Sequence, residues 1–196
     1  MSYINASISS GNVPTCFKSA VVTPLNIKKP NLDHNTLKNY RPVSNLSFPS
    51  KVLERIVADQ LNDHITRSNL ADPMQSAYQK GHSCDTALLR VKNDTDMALD
   101  RGEGTLLLLN LSAAFDTVHH DLLLARLSET FGVKDTALAW FHDYLTGRTQ
   151  VVSAGCSRSQ EYALTTGVPQ GSVLGPILFL CYVQPLVTVF EQHPLL

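Results

Sequence analysis

The sequence predicts a fold of mixed helices and strands, α+β or α/β in class. Three observations point to it. Apolar residues recur at three- and four-residue spacing over 51–68 and 85–100, the period of amphipathic helices. A short apolar run, 105–111, follows Gly102 and Gly104 and suits a strand buried on both faces. A proline-punctuated stretch over 20–46 favours extended backbone, because each residue before a proline is pushed away from helical geometry.

Taken in order, residues 1–16 are expected to be a loose leader. Val21 and Val22 precede Pro24, and Tyr40-Arg41-Pro42 follows Lys28-Lys29-Pro30. Over 51–68, Val52, Leu53, Ile56, Val57, Leu61 and Ile65 share one face, with Ser50 as N-cap. Glu54, Arg55, Asp59 and Asp63 are assigned to the opposite face. The helix over 85–100 turns Ala87, Leu88, Val91, Ala98 and Leu99 inward and ends at Gly102. Asp121 caps a helix reaching Phe131, and Gly132 stops it. Asp135 starts another, with Leu138, Trp140, Phe141, Tyr144 and Leu145 apolar and Gly147 as its stop. Residues 149–153 and 161–165 form a strand pair, and a last helix begins near Gly175-Pro176.

Composition bounds the function. With 196 residues, 43% of them hydrophobic and 17% charged, the chain is neither disordered, collagenous nor a disulfide miniprotein. A net charge of −1 excludes a uniformly basic nucleic-acid glue but not a local basic face. Cys16, Cys84, Cys156 and Cys181 have long, irregular spacings, which reads as reduced thiols in a cytosolic or nuclear protein. His82 beside Cys84 lacks further ligands at zinc spacing. No signal segment is visible at 1–13, and Gly175, Pro176, Gln184 and Pro185 interrupt the apolar stretch 173–190. The expected location is therefore intracellular, with no membrane span.

Three local features carry candidate chemistry. In Leu109-Asn110-Leu111-Ser112-Ala113-Ala114-Phe115-Asp116, a polar residue leaves a buried strand and a carboxylate follows at its end, where metal-binding carboxylates project. The plainer reading is a capped strand end with Asp116 as a turn or helix cap. In Gly167-Val168-Pro169-Gln170-Gly171-Ser172-Val173-Leu174-Gly175-Pro176, glycines allow close backbone approach and a helix start favours phosphate. A structural turn is the alternative. Lys18, Lys28, Lys29, Lys38 and Arg41 form a basic set suited to phosphate contacts, or else a solvated loop.

Together with Gln75-Ser76-Ala77-Tyr78-Gln79-Lys80-Gly81-His82-Ser83 and Trp140-Phe141-x-x-Tyr144-Leu145-x-Gly147-Arg148, these stretches follow a recognisable order. From about 17 to 190 the chain resembles the reverse transcriptase of LINE-type, non-LTR retrotransposons. The resemblance implies a right-hand polymerase fold, with fingers and part of the palm over 17–104 and a partial palm over 105–196. It implies that Lys28 or Lys29 and Arg41 grip the incoming triphosphate. Phe115 would exclude a ribose 2′-hydroxyl, and Gln170 and Gly171 would support template and nucleotide. RNA template, DNA primer and Mg²⁺ are the partners and cofactor of the intact family.

Two departures from the family pattern bear on activity. The family strand ends Leu-Asp-Leu-Ser, with the aspartate on both magnesium ions, whereas this chain has Asn110 there. Asp116 is kept as a supporting residue. The family's Ala-Asp-Asp hairpin is not found, and the sequence contains no Asp-Asp pair. The expectation is therefore a catalytically inactive fragment that lacks the hairpin and thumb, exposes a strand edge near 106–109, and needs no cofactor of its own. The alternatives are a non-catalytic RNA- or DNA-binding module with weak nucleic-acid affinity, or a translated relic.

Overall fold

The computed structural model describes residues 2–26, 33, 35–102, 108, 110, 111 and 113–186. Lys28, Lys29 and most of the expected 105–111 strand lie outside the described residues. The described helices are α1 (Ser2–Ser10), α2 (Phe48–Arg67), α3 (Cys84–Asp100), α4 (His120–Glu129), α5 (Asp135–Leu145) and α6 (Gly175–Val183). The strands are β1 (Ser19–Asn26), β2 (Tyr40–Asn45), β3 (Arg148–Ala154), β4 (Ser157–Arg158) and β5 (Tyr162–Leu164). Mixed helix and sheet on one core agrees with the α+β expectation.

β1 is the hinge of the sheet. It runs antiparallel to β2, with Val22 opposite Ser44, and parallel to β3, with Val21 opposite Val151. The parallel pair needs a long crossover, which the intervening helices supply. β3 pairs antiparallel with β5, Thr149 opposite Ala163, and turns through Gly155 and Cys156 into β4. The core gathers Leu53, Val57 and Leu61 of α2, Leu123 and Leu127 of α4, Trp140, Phe141, Tyr144 and Leu145 of α5, and Ile177, Leu178 and Cys181 of α6. Trp140 stacks on Tyr144 with ring centroids 5.4 Å apart and meets Phe141 edge-on. Burial pushes the Cys181 thiol up to about 12, so it behaves as an apolar filler. All four cysteines are free. No helix among the described residues is long and apolar enough to cross a membrane.

The N-terminus departs from the expected loose leader. Ser2–Ser10 is helix α1, and it docks on α5. The Trp140 indole N–H donates to Ser7 Oγ at 3.1 Å, and Ser7 itself is buried. Beyond the helix, the Val13 N–H donates to Asp143 Oδ2 at 2.6 Å, and Lys18 Nζ to Asp143 Oδ1 at 2.7 Å. Lys18 therefore leaves the basic set and becomes an anchor. Ile4 and Ile8 pack against the core, and the buried hydrogen bond from Trp140 completes the docking from far away in sequence.

Other expectations are also corrected. Ser47, not Ser50, caps α2, accepting from the Ser50 N–H, with Pro49 in the first turn. α4 begins at His120, and Asp121 sits in its first turn. Glu54 is 1% exposed rather than solvated. The inward face expected of α3 is not buried: Leu88 and Leu99 are each 66% exposed. The helix is held locally by a reciprocal capping box between Ser83 and Thr86 and by a Lys92–Asp96 pair one turn apart. Leu108 and Leu111, expected in a strand buried on both faces, are exposed and outside any strand.

Leu127→Ala, at a fully buried position, should lower unfolding free energy by about 2–5 kcal/mol in urea titrations, whereas Leu88→Gln on α3 should stay within ~0.5 kcal/mol. Burial raises the Asp143 carboxyl pKa, but Lys18 and the Val13 N–H outweigh it and hold the group below its ordinary 3.8. A depressed folded-state pKa stabilises the fold above the unfolded value, and that stability is lost as pH falls through the folded one. Asp143→Asn should therefore be less stable than wild type at neutral pH, with the gap closing as pH falls below about 4 in chemical denaturation.

Candidate functional site

The nine residues 167–175 form a loop between β5 and α6 that backbone contacts hold from three sides. Gly167 has φ +84°, a conformation that disfavours side chains. A Cβ there would stand 3.0 Å from Asp116 Cα and the Phe115 carbonyl oxygen. The Gly167 N–H donates to the Val118 oxygen and the Val168 N–H to the Phe115 oxygen, both at 2.8 Å. His120 Nε2 meets the Gly167 carbonyl at 2.8 Å, fixing the α4 end of the same contact. This clamps the turn over 113–118 onto the loop. Within that turn the Asp116 N–H donates to the Ala113 oxygen at 2.9 Å, with Ala113 in the left-handed region at φ 51°.

The second side is β2. The Ser44 N–H donates to the Gln170 carbonyl at 2.7 Å. Gly171 sits at φ +114°, and a Cβ there would meet the Ser44 oxygen at 2.9 Å. The Arg41 side chain is exposed on the same strand, three residues away.

The third side is α2. The Glu54 carboxylate accepts from the Val173 N–H at 2.7 Å, from the Leu174 N–H at 3.4 Å and from Ser50 Oγ at 3.3 Å. These N–H groups immediately precede α6, where no helical carbonyl is available to them and where a negative charge is favoured. Ser172 Oγ accepts from the Gly175 N–H at 2.8 Å, and Pro176 occupies the first turn without losing a needed donor. Behind Glu54 lies Tyr144, whose hydroxyl pKa is pushed up, first by burial and then by the Glu54 charge. The Arg148 guanidinium lies 4.8 Å from the Tyr144 ring centroid, and its Nη1 donates to the Tyr144 oxygen at 3.0 Å. Arg148 Nε and Nη2 and the Tyr144 hydroxyl are buried without a hydrogen-bond partner among the described residues.

The loop thus gathers several of the residues singled out in the sequence. Gln170 and Gly171 adjoin the strand of Arg41, while Phe115 and Asp116 adjoin Gly167. The half-buried Phe115 ring packs on Phe179 of α6, centroids 5.3 Å apart. The Asp116 residue is exposed overall, yet neighbouring atoms desolvate its carboxyl enough to raise its pKa. Asn110 is exposed in an irregular stretch. Sequence reasoning missed Ser44, Glu54, Ser172 and Arg148. Glu54 carried a readable signal, since it precedes Val57, Ala58 and Leu61 by three, four and seven residues and so lies on the apolar stripe.

Side chains among the described residues do not by themselves fit a two-magnesium site. No three His, Cys, Asp or Glu side chains come together among the described residues, and Asn110 offers only a neutral amide oxygen. Gly171→Ala should cost about 1–3 kcal/mol through left-handed strain and the Ser44 contact, read as a lowered melting temperature, with Gly155→Ala, in open space, costing less.

Residues 27–194 match the family model for reverse transcriptase (RNA-dependent DNA polymerase). Relatives in Drosophila melanogaster include a probable RNA-directed DNA polymerase from transposon BS, 32% identical over 96% of this chain and 20% of its own length. That from transposon X-element is 31% identical over 97% of this chain and 21% of its own length. The RNA-directed DNA polymerase from mobile element jockey is 28% identical over 94% of this chain. The chain spans about a fifth of the length of these relatives. With the family model covering most of the sequence, the chain belongs to the reverse transcriptase family, in its LINE-type, non-LTR retrotransposon branch.

Proposed function

We propose that this chain is the fingers and part of the palm of a retrotransposon RNA-directed DNA polymerase in a right-hand fold, and that it binds nucleic acid and nucleotide without catalysing synthesis. Fingers and part of the palm would occupy 17–104, and further palm 105–196. The observation that carries this reading is the convergence of β2, the turn over 113–118 and α2 on the single 167–175 loop. That arrangement brings Gln170 and Gly171 against β2, the strand that also carries the exposed Arg41 three residues from Ser44, and pairs a backbone approach with a basic strand of use to an anionic, flat-ringed ligand.

In this reading Arg41, with Lys28 or Lys29, grips the triphosphate through charge-assisted hydrogen bonds. Gln170 and Gly171 support template and nucleotide, the missing side chain at Gly171 letting backbone approach closely. Phe115, backed by Phe179, excludes the ribose 2′-hydroxyl by its bulk. Asn110 takes the place of a metal-binding aspartate. Magnesium in such enzymes neutralises the developing charge of phosphoryl transfer, and a neutral amide gives it less to bind. Inactivity is proposed on Asn110, with Asp116 left as a supporting carboxylate.

Purified chain should bind an RNA–DNA primer–template with affinity that falls as salt rises. Arg41→Ala should flatten the logarithmic salt slope by about 1. The same protein, given Mg²⁺ and deoxynucleotides, should extend no primer. Extension that disappears in Arg41→Ala would overturn the inactive assignment, and salt-insensitive or absent binding would overturn the nucleic-acid reading.

A further inference from the structure

Glu54 is a carboxylate almost completely withdrawn from water, 1% exposed, in the middle of an otherwise apolar helix face. Such a group is expensive to bury unless its charge is used. No cation lies within ion-pair distance of it among the described residues. Its acceptors are instead occupied by the N–H groups of Val173 and Leu174 and by Ser50 Oγ. Buried Arg148 lies over the Tyr144 ring, whose hydroxyl is acted on by both Glu54 and Arg148. Arg148 is 1% exposed and two of its nitrogens have no partner. The Glu54 carboxylate is thus held by backbone and hydroxyl donors, not by a direct ion pair.

We propose that Glu54, backed by Tyr144 and Arg148, is the positioning residue of the 167–175 loop: it fixes the Val173 and Leu174 amides so that Gln170 and Gly171 meet the ligand in one arrangement. This rests on the nucleotide and nucleic-acid reading above, and it assigns α2 a role that reading did not give it. The carboxylate touches no ligand itself. Its effect passes along four residues of backbone, from Leu174 to Gly171, whose other end is pinned by the Ser44–Gln170 hydrogen bond.

A purely structural role would be replaced by good packing, because neutral residues of similar volume commonly substitute for buried charges without loss of stability. The deciding variant is therefore Glu54→Met with Arg148→Met. It should melt at or above the wild-type temperature. Its Val173 and Leu174 amides should exchange at least about tenfold faster than in wild type, and its affinity for primer–template with deoxynucleotide should fall about tenfold, the scale of one hydrogen bond to a charged group. Glu54→Gln, which keeps the shape and one acceptor, should show smaller shifts in the same direction.

Wild-type binding retained by the double variant would overturn the proposal. So would wild-type amides at Val173 and Leu174 that exchange as fast as exposed loop amides, a result that needs no variant to fold. If wild-type protein binds no nucleic acid while these two amides are protected and lose protection on substitution, the functional reading fails and Glu54's hold on the loop stands.

Discussion

Backbone-to-backbone approach at Gly167 and Gly171 is the constraint on which the rest of the architecture turns. At Gly167 the loop comes within 3.0 Å of the Asp116 backbone, and at Gly171 within 2.9 Å of the Ser44 oxygen, measured to the Cβ that glycine lacks. Two elements separated by some seventy residues thereby touch the same short loop. Each contact depends on the other, because a loop displaced from β2 would also pull away from the turn at 113–118. α6 inherits its position from this arrangement, since it begins where the loop ends.

Electrostatics supports the same joint from the inside. The Lys18–Asp143 pair and the Glu54 carboxylate use charge differently. In the first, a direct 2.7 Å contact fastens the N-terminal segment to α5. In the second, the carboxylate makes no ion pair among the described residues and is spent on amides instead. A cation in their place would leave the start of α6 with unpaired donors.

How much of this was legible in the sequence depends on the range of the interactions. α5, α6, β3 and β5 were readable because periodicity and glycine stops are local: Trp140, Phe141, Tyr144 and Leu145 are all buried as their spacing implies. The grouping of Arg41, Phe115, Gln170 and Gly171 came from motif order, and Gly167 explains physically how two of those motifs meet. Glu54 was misplaced because a carboxylate is ordinarily assigned to solvent, although its spacing put it on the buried stripe. Ser2–Ser10 was missed because its polar partner, Trp140, and the α5 surface it packs on lie beyond any sequence window. α3 shows the reverse error: an apolar pattern does not specify what covers it, and no described residue buries Leu88 or Leu99.

The side-by-side placement of β1 and β3 has a consequence for the order of assembly. Ser7 and Trp140 are 133 residues apart, and Val13 and Asp143 are 130 apart. A ribosome adding about 5–20 residues per second needs on the order of ten seconds to deliver those partners. During that interval β1 can pair with β2, which arrives early, while α1 and the Lys18 anchor wait. Closing so long a loop also carries an entropic cost that contacts within neighbouring elements do not. Helix α1 and the Lys18 anchor are therefore secured only once α5 has been made.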